Sequence, residues 1–84
     1  MSRCVVKAKD PDHTVVVGLN HGHLPWFIQV FKGEEDIPFH DRDYRSKMHL
    51  VQDMNKYCVM TDWYTRSVAD AIAMDVDPKM IPTR

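Results

Sequence analysis

The sequence is short of glycine and cysteine. Its glycines, Gly18, Gly22 and Gly33, stand apart from one another, so no glycine-rich loop is available to bind a phosphate group. Cys4 and Cys58 form no C-x-x-C pair. We expect both to be free thiols in a reducing compartment, and a disulfide between them is the alternative.

Long apolar runs and an excess of one charge are also missing. No window approaches the roughly 20 apolar residues of a membrane span, and Lys7 and Lys9 come before a signal-peptide core can form. The formal net charge is -1 and the isoelectric point is near 6.5, which argues against the broad basic surface of a DNA-binding protein. We therefore expect a cytoplasmic protein, and nothing in the sequence calls for a cofactor.

What is present is enough apolar surface for one small domain. Hydrophobic residues make up 44% of the 84 positions and include two tryptophans, three tyrosines and three phenylalanines, which excludes a disordered chain. A chain of this length buries about 60 to 65% of the surface that it exposes when unfolded. We predict a single domain over residues 1–84, with one modest core and without the deep cleft of a large enzyme.

The first half of the chain has the composition of strands. Residues 4–9, 13–19 and 26–31 are rich in β-branched or aromatic side chains, and turn-forming residues separate them. These three segments predict an antiparallel meander. Residues 37–40 are either a short fourth strand or an ordered loop.

The second half changes to a helical period. Candidate N-caps precede two predicted helices, namely Asp43 or Ser46 for the first and Thr61 or Asp62 for the second. The first helix has an apolar stripe at Tyr44, Met48, Val51, Met54 and Cys58. The second has one side formed by Tyr64, Val68, Ala71, Ile72 and Asp75. We expect it to end at Asp77-Pro78, and we interpret His49 and Asp53 as an ordinary pair four residues apart.

The predicted fold class is therefore α+β: a small three-stranded antiparallel sheet, with the fourth strand as an option, followed by two helices packed on one face. Side chains alternate along a strand, so Phe27 and Phe31 point away from the face that carries Ile28. Two helices cover one face of so small a sheet, and an uncovered apolar face is typical of a binding site. The alternative is that residues 37–40 or the tail 76–81 cover the second face.

Charge is concentrated in residues 34–43, where five acids stand against the single base Arg42. The acids are Glu34, Glu35, Asp36, Asp41 and Asp43. We predict one compact acidic edge that docks on a basic surface such as a nucleic-acid-binding groove, and the alternative is a solvated loop that protects a sheet edge. Trp63 and Tyr64 form a second candidate contact, because these residue types are frequent interface anchors.

Five histidines raise the question of a metal site. His21 and His23 stand two apart, so in an extended segment both point to one side, as chelating ligands do. His40, Asp41 or Asp43 could supply a third ligand. The alternative is a glycine-containing turn with two exposed histidines, which requires no metal, and no H-x(3-5)-H spacing supports one.

Two stretches, VGLNHGHLPWFIQVF (17–31) and AIAMDVDP (71–78), resemble small bacterial and phage open reading frames of unassigned role. This resemblance implies no catalytic residue. From the residues we predict a non-enzymatic protein-binding module that acts through the aromatic sheet face and the acidic edge. Phage-encoded inhibitors of host defence complexes, such as anti-CRISPR proteins, are similar in size and composition, and fold alone does not dictate function.

Three other interpretations stay open. Two aromatic faces could bury each other in a homodimer. A metal-dependent hydrolase or metal-binding protein would use His21, His23, His40 and Asp41. An RNA or single-strand binder would stack bases on two rings and bind phosphates through lysines, namely Phe27, Phe31, Lys7, Lys9 and Lys32.

Overall fold

The computed structural model describes residues 2–81 except for the side chain of Lys79. Its strands are β1 (Ser2–Val6), β2 (His13–Leu19), β3 (Trp26–Lys32) and β4 (His40–Tyr44). Two helices follow, α1 (Lys47–Tyr57) and α2 (Trp63–Ala73), and then a 3₁₀ turn (Pro78–Met80). The described chain thus has the predicted α+β class, with four strands rather than three.

The four strands form an antiparallel meander in the order β1-β2-β3-β4. Its register places Val17 opposite Ile28 and Ile28 opposite Arg42. The observed β2 has the predicted bounds, and β3 is one residue longer than predicted. The fourth strand begins at His40, where the optional strand was expected to end.

Both helices pack on one face of the sheet, as predicted. The buried cluster joins alternate residues of β1, β2 and β3 to one side of α1 and α2. Its members are Cys4, Val6, Val15, Val17, Trp26, Ile28, Val30, Leu50, Met54, Cys58, Val68, Ala69 and Ile72. Both cysteines are free thiols. Burial raises the pKa of Cys58 to about 12 and outweighs the opposite effect of the Lys9 charge.

The boundary between β4 and α1 differs from the prediction. Tyr44, assigned to the first helix, ends β4, and Ser46 rather than Asp43 precedes α1. The sequence 40–44 alternates with a period of two, so a strand orients His40 and Tyr44 toward one side. Met54 and Cys58 of the predicted stripe are buried, whereas Met48 is 53% exposed. Two residues outside the predicted stripe, Leu50 and Asp53, lie on the buried side of α1 instead.

The second helix also ends earlier than Asp77-Pro78. Its last residue is Ala73, and Asp75 has a positive φ of 67°, a conformation typical of the chain just beyond a helix C-terminus. Asp75, which the prediction placed on one side of the helix, forms an ion pair of 3.7 Å with Lys47 at the start of α1.

The segment after β1 is bound to the C-terminal half of the chain. The backbone N–H of Lys7 donates to Oγ1 of Thr65, and the N–H of Val59 donates to the Lys7 carbonyl. The N–H of Lys9 donates to the Tyr57 carbonyl. Since β1 also contacts α2 and the 3₁₀ turn, the first strand is held by the last elements of the fold.

Asp62 is expected to stabilise α2 by about 1 kcal/mol, the usual contribution of an N-cap. One carboxylate oxygen accepts hydrogen bonds of 3.1 Å from the backbone N–H groups of Tyr64 and Thr65. Asp62→Ala should lower the free energy of unfolding by this amount in a urea titration followed by circular dichroism. Ser46→Ala is the matched control, because Ser46 makes no side-chain cap hydrogen bond, and equal losses in the two variants would contradict the prediction.

Candidate protein-binding surfaces

The second face of the sheet carries the alternate strand residues. Within residues 2–81 neither predicted cover lies over it: Ile81 packs against the core cluster on the helix side. Phe39 instead contacts the rings of His13 and Tyr57, with centroid distances of 4.9 and 6.4 Å. The described helices and the 3₁₀ turn thus leave this face open.

Phe27 points to the open face but is only 3% exposed, so the expectation of an exposed ring is wrong. The reason is the opposing residue Gly18, whose missing side chain leaves room for the ring. A Cβ placed on Gly18 would lie 2.9 Å from two ring carbons of Phe27 and would collide with the Ser2 carbonyl. Phe31 is half-buried, and the apolar side chain that remains on this face is Val5, 64% exposed.

One of the two rings proposed to stack nucleic-acid bases is therefore poorly placed. Base stacking needs an accessible aromatic face, and the ring of Phe27 is covered by its own neighbours. Only the half-buried Phe31 is left for the single-strand-binding interpretation.

The predicted acidic edge is divided between two surfaces. Asp41 and Asp43 lie in β4 opposite Gln29 and Phe27, so they belong to the open sheet face. The other three carboxylates, Glu34, Glu35 and Asp36, lie in the connection between β3 and β4. We call this connection, residues 33–39, the acidic loop.

Two apolar side chains protrude from the acidic loop. Ile37 is 78% exposed, and Phe39 is 50% exposed. Sequence reasoning named the carboxylates but missed these two residues. The available signal was the Ile-Pro-Phe sequence next to three acids, since a loop that serves only to be solvated has no need of large apolar residues.

Backbone hydrogen bonds fix both ends of the acidic loop, one to the β1–β2 connection and one to β3. The N–H of Gly33 donates to the carbonyl of Asp12 at 2.7 Å, and the N–H of Phe39 donates to the carbonyl of Val30 at 2.9 Å. Gly33 has a positive φ of 59°, which glycine adopts without strain. The loop therefore holds a defined conformation.

A buried carboxylate anchors β4 beside the acidic loop. Asp53 on α1 is 8% exposed, and its Oδ2 accepts a hydrogen bond from the Tyr44 hydroxyl and lies 3.0 Å from Nε2 of His40. Nζ of Lys56 is 3.9 Å from the other oxygen. The imidazole of His40 also packs against Tyr57, with a centroid distance of 4.9 Å. This network replaces the expected pair of His49 and Asp53.

The protonation states of this network follow from its contacts. Burial alone would raise the pKa of Asp53, but the hydrogen bonds from Tyr44 and His40 and the charges of His40 and Lys56 outweigh it and lower the pKa. Burial and the adjoining carboxylate raise the pKa of Tyr44 to about 12. Asp53 is therefore an ionised acceptor and Tyr44 a protonated donor at neutral pH. The arrangement fixes β4 to α1, and with it the end of the acidic loop.

Comparisons with protein-family models, with curated proteins and with solved structures give no match. Function therefore has to follow from the surfaces of this chain. None of the helices within residues 2–81 is long and apolar enough to cross a membrane.

The histidines proposed as metal ligands are not brought together. His21 and His23 lie in the β2–β3 turn, beyond the pair of Leu19 and Trp26 at one end of the sheet. His40 pairs with Val30 toward the other end. In the described part of the chain, no group of three or more histidine, cysteine or acidic side chains could hold a metal ion.

The second aromatic candidate is also divided. Trp63 begins α2 and is 43% exposed, whereas Tyr64 packs against the core cluster. Their ring centroids are 6.4 Å apart. Trp63 therefore remains accessible to a partner, whereas Tyr64 is part of the packing around the core.

Proposed function

We propose that the protein is a non-enzymatic binding module, an adaptor or inhibitor, whose acidic loop docks on a basic protein surface. The observation that supports this most is the exposure of Ile37 and Phe39 directly beside three carboxylates. A nucleic-acid-binding groove of a host protein complex is the kind of surface that fits, as in inhibitors that phages direct against host defences.

Apolar and acidic groups have separate tasks in such a contact. Interface cores are apolar and poor in charge, and charged residues lie at the rim. Ile37 and Phe39 would enter the core of the contact, since few residues supply most of the binding energy. Glu34, Glu35 and Asp36 would surround them and select a basic partner.

The fixed conformation of the loop favours this role. Ordering a flexible segment costs free energy on binding, so a preorganised loop binds more tightly than a mobile one with the same contacts. The acidic loop is already ordered in the folded protein, by the hydrogen bonds at Gly33 and Phe39 and by the packing of the Phe39 ring on His13. Binding therefore does not have to order it. The Asp53 network fixes the strand that follows.

Charge also directs the encounter. Three adjacent carboxylates on one loop attract a basic groove and raise the association rate, and salt weakens the effect. A groove that normally binds nucleic acid offers several lysine or arginine side chains. Binding by the loop and binding of nucleic acid should therefore be mutually exclusive.

Affinity capture from a lysate of the native host, with heparin as competitor, tests this proposal. Two loop variants are compared with the native protein: Ile37→Ser, and the triple variant Glu34→Gln, Glu35→Gln, Asp36→Asn. The native protein should retain nucleic-acid-binding proteins that heparin displaces, and Ile37→Ser should weaken retention about tenfold, as loss of an interface anchor does. The triple variant should bind more weakly and lose its salt dependence.

Met74→Ser is the matched control, because Met74 is 74% exposed and lies beyond α2 rather than in the loop. Its retention should equal that of the native protein. Capture that survives both loop changes, or that heparin leaves unaffected, would rule out the acidic loop as the binding surface.

A further inference from the structure

The open face of the sheet carries opposite charges at its two edges. One row across the strands consists of Arg3, Gly18, Phe27 and Asp43, in that order from β1 to β4. Asp41 lies at the same β4 edge, in the next row. On this face β1 is therefore the positive edge and β4 the negative edge.

These charges have no ionic partner within residues 2–81. The guanidinium of Arg3 donates an exposed hydrogen bond of 3.4 Å from Nη2 to Oε1 of Gln29. No ion pair joins it to Asp41 or Asp43, although all three lie on one face. The protomer thus presents one cation and two anions that are free to pair with another molecule.

We propose that this face binds a second copy of the chain, with the two sheets packed face to face about a two-fold axis parallel to the strands. Such an axis exchanges the two edges, so β1 of each copy lies over β4 of the other. Arg3 then meets Asp43 of the second copy, and the reverse pair forms by symmetry. A two-fold axis perpendicular to the strands would place β1 over β1 and set like charges together.

The middle of the face adds no interlocking side chains to this contact. Phe27 is 3% exposed because its ring already occupies the space over Gly18 of its own chain, so neither residue inserts into the second copy. Two rows along, the half-buried Phe31 lies over Thr14 of the second copy, because these two residues are partners within each sheet. The charges at the two edges therefore set the alignment of the two sheets.

Pairing through the free edge of β4 is a poorer alternative. Antiparallel pairing of two β4 strands around Arg42 would set Arg42 opposite its own copy and Asp41 opposite Asp43. Like charges directly opposite each other destabilise such a pair, and charged edge strands resist this kind of association. The open face is the surface whose charges agree with a second copy.

The size of the face sets the strength of the dimer. Four strands about 4.8 Å apart, with about six residues of 3.3 Å each, give roughly 400 Å² per copy. The total of roughly 800 Å² is below the about 1,200 to 2,000 Å² that stable specific interfaces bury and is typical of weak, transient contacts. The proposed dimer should therefore be in equilibrium with the monomer, with a dissociation constant in the micromolar range or above, and should weaken as salt shields the ion pairs.

Sedimentation velocity over concentrations up to the millimolar range tests this proposal. Arg3→Glu and Asp43→Arg should each weaken the dimer at least about tenfold, because each sets like charges together. An equimolar mixture of the two variants should restore the dimer, since every altered charge then meets an opposite one. The double variant with both changes on one chain should dimerise as well. Arg66→Glu, a matched change on the exposed side of α2, should have no effect.

A native protein that stays monomeric, a dimer that neither single change weakens, or variants that fail to associate when mixed would each overturn the proposal. If a variant does not fold, the salt dependence of the native dimer still tests the proposal, because a dimer that strengthens with salt contradicts the ion pairs. This inference goes beyond the proposed function and uses a different surface. Ile37→Ser should leave the dimer unchanged, and Arg3→Glu should leave heparin-sensitive capture unchanged.

Discussion

Gly18→Ala is expected to lower the free energy of unfolding by about 3 kcal/mol, as overpacking of a tight site does. The new methyl group would meet the Phe27 ring at 2.9 Å and collide with the backbone carbonyl of Ser2. A ring can rotate, but a backbone oxygen moves only if β1 shifts away from β2. A domain of this size has about 4 to 12 kcal/mol in all, so the loss is a large share. Urea unfolding followed by tryptophan fluorescence measures it.

Gly33→Asn is the control for the Gly18 prediction. Gly33 has a positive φ, which asparagine tolerates better than most residues, and the nearest atom to an added Cβ is 3.8 Å away. We expect a loss below about 1 kcal/mol. If alanine at position 18 is as well tolerated as asparagine at position 33, the close approach of Ser2 to Gly18 is not a feature of the folded protein.

Asp53→Ala is expected to destabilise the protein by about 3 kcal/mol, as removal of one member of a buried ionic network does. The substitution leaves the Tyr44 hydroxyl and the His40 imidazole without their acceptor, and each unmet polar group costs free energy. β4 should separate from α1. Thermal unfolding by circular dichroism gives the global effect, and hydrogen exchange should show faster exchange in β4.

Asp70→Ala is the matched control for the loss of a carboxylate from a helix. Asp70 forms a surface ion pair of 3.4 Å with Arg66, and both side chains are more than 60% exposed. Surface pairs of this kind contribute about 0.5 kcal/mol. Equal effects at positions 53 and 70 would show that the buried network does not stabilise the fold.

The same network predicts a pH dependence. The lowered pKa of Asp53 means that its stabilisation is present above the ordinary value of 3.8 and is lost as pH falls through the lower folded value. The raised pKa of Tyr44 means that its stabilisation is present below pH 10 and is lost toward about pH 12. The difference in unfolding free energy between the native protein and Asp53→Asn should therefore shrink at both extremes. A constant difference would contradict the assignment.

The strands and the helix-covered face could be predicted because they depend on local patterns. Residues 13–19 and 26–31 combine β-branched or aromatic side chains with turn-forming residues on either side, so composition and length were enough to predict the two strands. The N-cap of α2 was narrowed to Thr61 or Asp62, and the structure selects Asp62.

The end of β4 could not be predicted from spacing alone. Tyr44 stands at a helical interval from Met48, so it fitted a helix stripe, whereas its pairing with Trp26 of β3 places it in the sheet. The sequence around Asp53 does not show that this acid is buried, because its partners His40 and Tyr44 lie in β4. The prediction had assigned Tyr44 to the helix and therefore did not place it opposite Asp53. Tertiary contacts decided this boundary.

The candidate site was predicted in part. The charge of residues 34–36 was visible in the sequence, whereas the exposure of Ile37 and Phe39 depends on how the loop is tied to its neighbours. The burial of Phe27 depends on a glycine in another strand. Alternation along a strand gives the face of a residue but does not give what the opposite strand offers it.

The ties between β1 and the last third of the chain bear on how the protein is made. β1 can contact the 3₁₀ turn, and the segment after it can bond to Val59 and Thr65, only after those residues have been synthesised. Until then the apolar side of the sheet is uncovered. Contacts between distant parts of a sequence slow folding. We therefore expect the protein to be most prone to aggregation during synthesis, before α1 and α2 cover the apolar side of the sheet.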